Sequence, residues 1–232
     1  MNISDGIIWY LVFLFSVVVH EASHAFAAFK LGDPTAYHGG QVSLNPIPHM
    51  RREPIGTIVV PIISYIAAGW VIGWASTPYN VNWANTNPKK AGMMAAAGPL
   101  SNLLLLLITV LIIRVGVGFN YFYPHPYNVS MVSLVAATDP GQLEIVAKVL
   151  SVMFSMNLVL FIFNILPMPP LDGSSILPIF FNDERGKRYL KAIRNPGFAL
   201  LGIFVIWKVM GYAIFYIFIF AVNLLYPGGH YG

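Results

Sequence analysis

The residues of this chain best suited to chemistry are two histidines and a glutamate in the sequence His20-Glu21-Ala22-Ser23-His24. On a helix, positions four apart lie on one face, so both imidazoles can bind one metal ion. The carboxylate of Glu21 is then placed to deprotonate a water on that ion, which is the chemistry of a zinc peptidase. The alternative is a chance polar cluster on a packed helix. Three ionisable residues inside the apolar run 7–29 favour a functional site, because such groups are costly at membrane depth.

A catalytic zinc typically has three protein ligands and leaves a fourth position for water. The chain has no cysteine, so the third ligand must be a histidine or a carboxylate. Asp172 stands out among the few acids, since it follows a proline-rich break at the end of an apolar run. Taken alone, it is equally well explained as a turn or cap residue, because Asp-Gly is a common turn pair. The His-Glu-x-x-His sequence elsewhere in the chain favours the explanation of Asp172 as a metal ligand.

The composition indicates which elements must position these side chains. The 232 residues are 57% hydrophobic and 9% charged, with a mean hydropathy of +0.68. A soluble domain cannot bury that much apolar surface, so we predict an α-helical polytopic membrane protein with about four full transmembrane helices. No segment is polar and long enough to form a separate soluble domain. The four runs long enough to cross a bilayer are 7–29, 93–119, 143–166 and 198–225.

A fifth, weaker apolar run contains Pro61, Gly69 and Gly73. If all five runs crossed the membrane, the His24 end of the first helix and Asp172 would face opposite sides and could not share a metal. We therefore predict that residues 55–77 form a re-entrant or broken hairpin, which is tolerated where protein surrounds it. A pair of short helices spanning twice would preserve the same parity.

The basic residues test this topology independently. With four crossings, most of them fall on the side of the proposed metal site, which the positive-inside rule assigns to the cytosol. Both termini are then outside. The residues on the cytosolic side are Lys30, Arg51, Arg52, Lys89, Lys90 and the basic stretch 185–194.

The segment after the first helix, residues 37–46, is predicted to form short β-strands broken by turns near the active site. Such strands could pair with an extended substrate by adding to an edge. His38 and His49 lie in this part of the chain and could approach the site, although ordinary loop roles are the more frequent explanation. Lys208, in the last apolar run, is better explained by snorkelling or an internal polar contact than by catalysis.

Several motifs together resemble those of the site-2 proteases, which are intramembrane zinc metalloproteases of peptidase family M50. The first is the His-Glu-x-x-His sequence, and the second is Asn164–Gly173, an Asn/Pro-rich segment that ends in Leu-Asp-Gly. Residues 97–102, Ala-Gly-Pro-Leu-Ser-Asn, are similar to the family's helix between these two motifs. Gly73-Trp74-Ala75 begins a stretch that is usually Gly-Trp-Ala-Lys-Pro, but here Ser76 and Thr77 replace the Lys and Pro. The resemblance covers roughly residues 15–195.

The resemblance implies that His20, His24 and Asp172 are the ligands of one zinc ion per chain and that Glu21 is the general base. It implies a single membrane-embedded metalloprotease domain over residues 1–232, of the small bacterial type without a PDZ domain. Asn102 and Asn164 become candidates to hold the substrate strand or the developing oxyanion, since amide donors can do so. Hydrogen bonding between membrane helices is at least as good an explanation for either one.

The implied activity is regulated intramembrane proteolysis in the inner (plasma) membrane, with the site toward the cytosol. The expected partner is a transmembrane protein substrate, such as an anti-sigma factor or a signal-peptide remnant. The alternative is a non-proteolytic membrane protein, either a metal carrier or a substrate-binding pseudoprotease. Glu21 separates the two hypotheses, because hydrolysis needs a general base and metal transport does not.

Overall fold

The computed structural model describes residues 2–125, 129–139 and 141–228, and the chain is mainly helical. Two short strands, β1 (Phe122–Pro124) and β2 (Val135–Ala137), pair antiparallel with Phe122 opposite Ala137. A π-helical turn, Ile55–Val59, precedes one of the helices, and a 3₁₀ turn, Leu177–Phe180, follows another. The helices are α1 (Ile3–Leu31), α2 (Thr35–His38), α3 (Pro46–Arg52), α4 (Val60–Ala68), α5 (Val81–Thr86), α6 (Pro88–Gly118), α7 (Gln142–Ile165), α8 (Asp172–Ile176), α9 (Asp183–Ile193) and α10 (Pro196–Leu225).

The long helices confirm the prediction of a membrane protein with about four spans. Within the described residues, α1, α6 and α7 are each long and apolar enough to cross a bilayer. The start of α10 forms a fourth candidate span together with α9, from which it is bent by 73°. Large apolar side chains such as Leu11, Leu104 and Leu111 are more than half exposed, as expected where a helix faces lipid rather than water.

Helix α1 carries one buried stripe that packs against α6 and α7. The stripe recurs every three or four residues, which is the period of one helix face. It begins with Trp9, Phe13 and Val17 and continues into the two histidines. The helix starts at Asn2, whose side chain accepts a hydrogen bond from the Ser4 amide, and ends at Gly32 with a left-handed φ of 106°.

Residues 55–77 form the predicted broken hairpin, and the chain returns to the side on which the hairpin starts. The outgoing arm is helical and reaches the N-terminal end of α1, where the Tyr65 hydroxyl donates to the Asn2 carbonyl over 2.7 Å. Gly69, with a φ of 76°, reverses the chain. Residues 71–80, which we call the return arm, then run back along α1 without regular structure, and the Trp74 amide bonds to the Gly56 carbonyl over 3.1 Å.

The contacts of the return arm along α1 show that it is more extended than a helix. Val71 packs in a cluster with Trp9 and Phe13, whereas Thr77 hydrogen-bonds to Glu21. At about 1.5 Å per helical residue, the arm advances roughly 12–18 Å in six residues. A helix of six residues would advance only about 9 Å, and a fully extended chain at most about 20–22 Å. The hairpin therefore has one helical arm and one arm that is more extended than a helix.

The prediction of β-strands at residues 37–46 was wrong. Residues 35–38 form the short helix α2, and the Asp33 side chain, which precedes it, accepts from both the amide and the hydroxyl of Thr35. Asn45 caps α3 by accepting from the Ile47 amide, and Pro46 occupies the first turn. Local side-chain caps compete with strand pairing, and here they prevail over the β-type pattern. The strands that the structure does describe, β1 and β2, follow the far end of α6.

The charged contacts separate along the helix axes as the four-crossing topology requires. At one end, the Lys148 ammonium pairs with Asp5 over 3.2 Å, and Arg114 donates to the Leu225 carbonyl over 2.9 Å. At the other end, the Asn80 amide donates to Asp33, and Arg194 donates to Asn85 over 2.7 Å. The His24 end of α1 and the Asp172 end of the fold therefore share one side.

Candidate active site

Three side chains from two distant parts of the chain converge on one point. Nε2 of His20 lies 3.0 Å from Nε2 of His24 and 3.0 Å from Oδ2 of Asp172. Nε2 of His24 lies 3.2 Å from the same carboxylate oxygen. Both imidazoles are buried, and Asp172 is half-buried. The structure therefore brings together the three residues that the sequence nominated as metal ligands.

The distances fit a zinc ion. Ligand atoms placed about 2.0–2.1 Å from a tetrahedral centre lie about 3.3 Å from one another, close to the three separations of 3.0–3.2 Å. Two neutral imidazoles that face a carboxylate with their lone pairs repel one another unless a cation lies between them. The donor set, two nitrogens and one oxygen, is also one that zinc prefers.

The outer nitrogen of each imidazole has a fixed partner. Nδ1 of His24 lies 2.8 Å from the backbone carbonyl of Met94, which can only accept. Nδ1 of His20 lies 2.6 Å from Oδ1 of Asn102. Donation by Nδ1 in both rings leaves both Nε2 lone pairs free toward Asp172, which is the tautomer that a metal ligand needs.

Asn102 belongs to a buried polar chain that joins three helices. Its Nδ2 donates to Oδ1 of Asn157 over 3.0 Å, and the amide of Asn157 donates to Oγ of Ser16 over 3.1 Å. Ser16, Asn102 and Asn157 have no solvent exposure. Because its Nδ2 is committed to Asn157, Asn102 must present its oxygen to His20. This placement matches the interhelical alternative for Asn102 and not the substrate-binding one.

Gly98 provides the space in which the three ligands meet. A Cβ added at this position in α6 would overlap Nε2 of both His20 and His24. Any side chain there would enter the volume in which an ion held by these ligands would lie. The glycine of the Ala97–Asn102 segment is thus explained by close approach to the site rather than by backbone flexibility.

Asp172 reaches the histidines because the chain folds back sharply after α7. The helix ends at Ile165, and the prolines that follow prevent its continuation. A Cβ at Gly173 would overlap the backbone carbonyls of Ile165 and Leu166, so this return requires a glycine. Asp172 is the first residue of α8, and its side chain points to the imidazoles instead of capping that helix.

The charge on Asp172 is stabilised by its surroundings. Burial by itself raises the pKa of this carboxyl group, but the adjacent imidazoles of His24 and His20 outweigh that effect. The pKa of Asp172 therefore lies below its ordinary value, and the side chain is a carboxylate, as a metal ligand must be.

Glu21 lies beside the ligands and is contacted by the return arm of the hairpin. Its Oε2 accepts a hydrogen bond from the Thr77 hydroxyl over 2.7 Å, and its backbone carbonyl lies 2.9 Å from the same hydroxyl. Glu21 is 6% exposed. The carboxylate is thus held next to His20 in sequence and lines the same cavity as the three ligands.

A cavity of about 530 Å³ opens onto these residues. Asn164 lines it, and its amide nitrogen donates to the Leu160 carbonyl of its own helix over 3.0 Å. His38 and His49 do not reach the cavity: His38 is exposed, and His49 is buried 3.0 Å from the Ser43 carbonyl. The other polar residues on its wall include His20, Glu21, His24, Ser76, Thr77, Asp172, Ser175 and Arg194.

Comparison with known proteins decides which family this site represents. The family model described as peptidase family M50 matches residues 8–207, which is most of the chain. The chain belongs to peptidase family M50. The match covers most of α1 and all of α6 and α8, the three elements that supply the histidines, Gly98 and Asp172. The resemblance to site-2 proteases, drawn from the motifs alone, is confirmed.

Curated proteins named as putative zinc metalloproteases resemble the chain over most of its length. It is 37% identical to the Bacillus subtilis protein named "Putative zinc metalloprotease YwhC" over 72% of this chain and 66% of that protein. It is 24% identical to "Putative zinc metalloprotease Rip2" of Mycolicibacterium smegmatis over 83% of this chain and 64% of that protein. It is 26% identical to the protein of the same name from Mycobacterium tuberculosis H37Rv over 84% of this chain and 64% of that protein. The chain thus spans slightly less than two thirds of the length of these three relatives. No solved structure matches it.

Four site residues were not singled out for these roles by the sequence. Ser16 lies four positions before His20, and Asn157 is a lone amide in an apolar run, so polarity at membrane depth was a usable signal for both. Gly98 was visible only as part of a motif. Nothing in the sequence indicated that Thr77 contacts Glu21.

Proposed function

We propose that this chain is an intramembrane zinc endopeptidase that hydrolyses a peptide bond within or near a transmembrane helix of another protein. The observation that carries the proposal is the convergence of His20, His24 and Asp172 within 3.2 Å of one another, beside Glu21 and on one cavity. A metal carrier needs ligands along a pathway, whereas here one complete ligand set adjoins a general base.

The residues of the site have different roles in the proposed hydrolysis. The two imidazoles and Asp172 would hold zinc, which when bound supplies a Lewis acid that activates water and polarises the scissile carbonyl. Glu21 accepts the proton of the attacking water and returns it to the leaving amine. Because Glu21 and the ligand histidines lie on the same helix, packing of α1 holds the base and the ligands in one geometry.

A transmembrane helix hides its peptide bonds, so the substrate must present an extended segment at the cavity. With residues 37–46 excluded as strands, we propose that the return arm receives this segment. The Trp74 amide and the Ser76 carbonyl bond to Gly56 and Gln41 on one side of the arm. In an extended chain, the backbone groups of the intervening residues point the other way and are free to pair with substrate by β-addition.

We also propose a membrane side and a substrate class for this site. The basic residues at the His24 end support a cytosolic location of the site in the inner (plasma) membrane, by the positive-inside rule. The partner is then a transmembrane protein with a segment that unwinds readily, such as an anti-sigma factor or a signal-peptide remnant. Asn164, on the cavity wall, is the remaining candidate for contact with the substrate strand.

The test is cleavage of a model substrate with a single transmembrane helix by the purified, zinc-loaded chain in lipid nanodiscs. Glu21→Gln should retain zinc and abolish cleavage, because the base is lost while the ligands remain. Glu144→Gln, at the exposed start of α7, is the matched control and should cleave like the wild type. Cleavage by Glu21→Gln at the wild-type rate would overturn the proposal and favour a non-proteolytic metal-binding protein.

A further inference from the structure

We infer that Thr77 is a positioning residue for the general base, and that its hydroxyl holds the Glu21 carboxylate against the return arm of the hairpin. This inference rests on the proposed function and deepens it. Thr77 does not touch the metal ligands; it acts through Glu21, to which its hydroxyl donates over 2.7 Å. A donor to a carboxylate forms one of the stronger hydrogen bonds in proteins.

The contact matters because a glutamate side chain is long and has several rotatable bonds. Among the described residues, the hydrogen bond from Thr77 is the one that reaches the Glu21 carboxylate. Without it, packing alone would have to select one rotamer of the base. A base that accepts a proton from water must lie within about 3 Å of it, so a displaced carboxylate slows the reaction even when zinc is bound.

The hairpin places the Thr77 hydroxyl independently of Glu21. On the Trp74 side, the arm is held by the bond to Gly56, and Ser76 Oγ donates to Glu53 over 2.6 Å. On the other side, the Asn80 amide donates to Asp33 over 2.7 Å. The donor is therefore presented by a segment anchored at both ends, as a preorganised site requires.

The hydroxyl also has a second acceptor, which suits a partner that gains and loses a proton during turnover. The backbone carbonyl of Glu21 lies 2.9 Å from Thr77 Oγ1. While Glu21 is a carboxylate, the hydroxyl donates to Oε2. Once Glu21 carries the proton taken from water, the hydroxyl can rotate to the carbonyl and accept from the carboxyl group. The proton of Thr77 itself stays on Oγ1 throughout.

This contact is a property of this chain rather than of the motif. The site-2 protease stretch that begins Gly-Trp-Ala usually continues Lys-Pro, whereas this chain has Ser76 and Thr77. A proline at position 77 has no side-chain donor, so it cannot make either hydrogen bond. The departure from the usual sequence coincides with the residue that contacts the base.

The test compares Thr77→Val, which keeps the shape and removes the hydroxyl, with Thr77→Ser, which keeps the hydroxyl. The full chain, zinc-loaded in detergent, is assayed with fluorescein-labelled casein, an unfolded probe that needs no unwinding. Thr77→Val should lower kcat about tenfold with KM within about twofold, and Thr77→Ser should recover most of that loss. Thr109→Val, a buried threonine of α6 that bonds to the Leu105 carbonyl, is the matched control and should be unchanged.

The values of kcat, KM and zinc content together separate positioning of the base from other roles of Thr77. Zinc content of Thr77→Val equal to that of the wild type, with reduced kcat, supports positioning of the base. A normal kcat in Thr77→Val, or a change confined to KM or to zinc content, overturns it while leaving the proposed function intact. Absence of zinc-dependent cleavage by the wild type would overturn the proposed function itself, and the inference with it.

Discussion

Nδ1 of His20 lies 2.6 Å from Oδ1 of Asn102, although the two residues are 82 positions apart and on different helices. The bond joins α1 to α6, and Asn102 in turn bonds to Asn157 on α7. One polar chain thus links the helix that carries the histidines to the two helices packed against it. Because these side chains are buried, breaking this series of hydrogen bonds is costly: an amide that loses its partner in this interior finds no water to replace it.

The first prediction concerns this positioning of His20. Asn102→Ala removes the acceptor of the His20 Nδ1 proton and should weaken zinc binding about 10–100-fold, the usual effect of losing such a partner. Competition for zinc with a chromogenic chelator measures the change. Asn164→Ala, on the cavity wall without contact to a ligand, should bind zinc with wild-type affinity. Equal affinity of Asn102→Ala and the wild type would exclude a positioning role for Asn102.

Gly98 supports a second prediction. Gly98→Ala adds a methyl group that overlaps Nε2 of both ligand histidines, so zinc binding should be lost while the helix remains intact. Metal analysis of the purified variant checks this result. Gly118→Ala is the matched control, since a Cβ there has no neighbour within 4 Å. A full complement of zinc in Gly98→Ala would show that the ion does not lie between the two imidazoles.

The third prediction tests the carboxylate ligand. Asp172→Ala should reduce bound zinc from about one ion per chain to a small fraction, because two imidazoles alone form an incomplete site. Asp183→Ala removes an exposed acid at the start of α9 and should have no effect on zinc. Retention of zinc by Asp172→Ala after dialysis would mean that another group is the third ligand.

A fourth prediction concerns the hairpin and the side of the membrane. The chain has no cysteine, so single cysteines can be introduced without background. In intact cells, a membrane-impermeant maleimide should label Tyr121→Cys, which is exposed at the far end of α6, and spare Asn82→Cys, which is exposed in α5. After permeabilisation both should react. Labelling of Asn82→Cys in intact cells would contradict the cytosolic placement of the site.

The sequence predicted the features that depend on composition and on residues close together in the chain. The apolar runs 93–119 and 143–166 became α6 and α7 with ends within a few residues, because membrane helices are defined by length and hydropathy. The hairpin at 55–77 was predicted from parity and from its proline and glycines. The strands at 37–46 were not found, since the Asp33 bond to Thr35 and the Asn45 cap stabilise short helices that a strand-type pattern does not reveal.

The nominated ligands His20, His24 and Asp172 and the nominated base Glu21 stand out in the chain because ionisable groups in apolar runs are rare and costly. Their partners do not, because a contact such as Asn157 with Asn102, or Thr77 with Glu21, depends on which faces of distant elements meet. An ordinary residue in a loop or helix acquires such a role only when packing brings it to the site. The distances among the ligands, the tautomer of each histidine and the orientation of the base were therefore decided by the tertiary structure, since each requires donors and acceptors from different helices to coincide within a few ångströms.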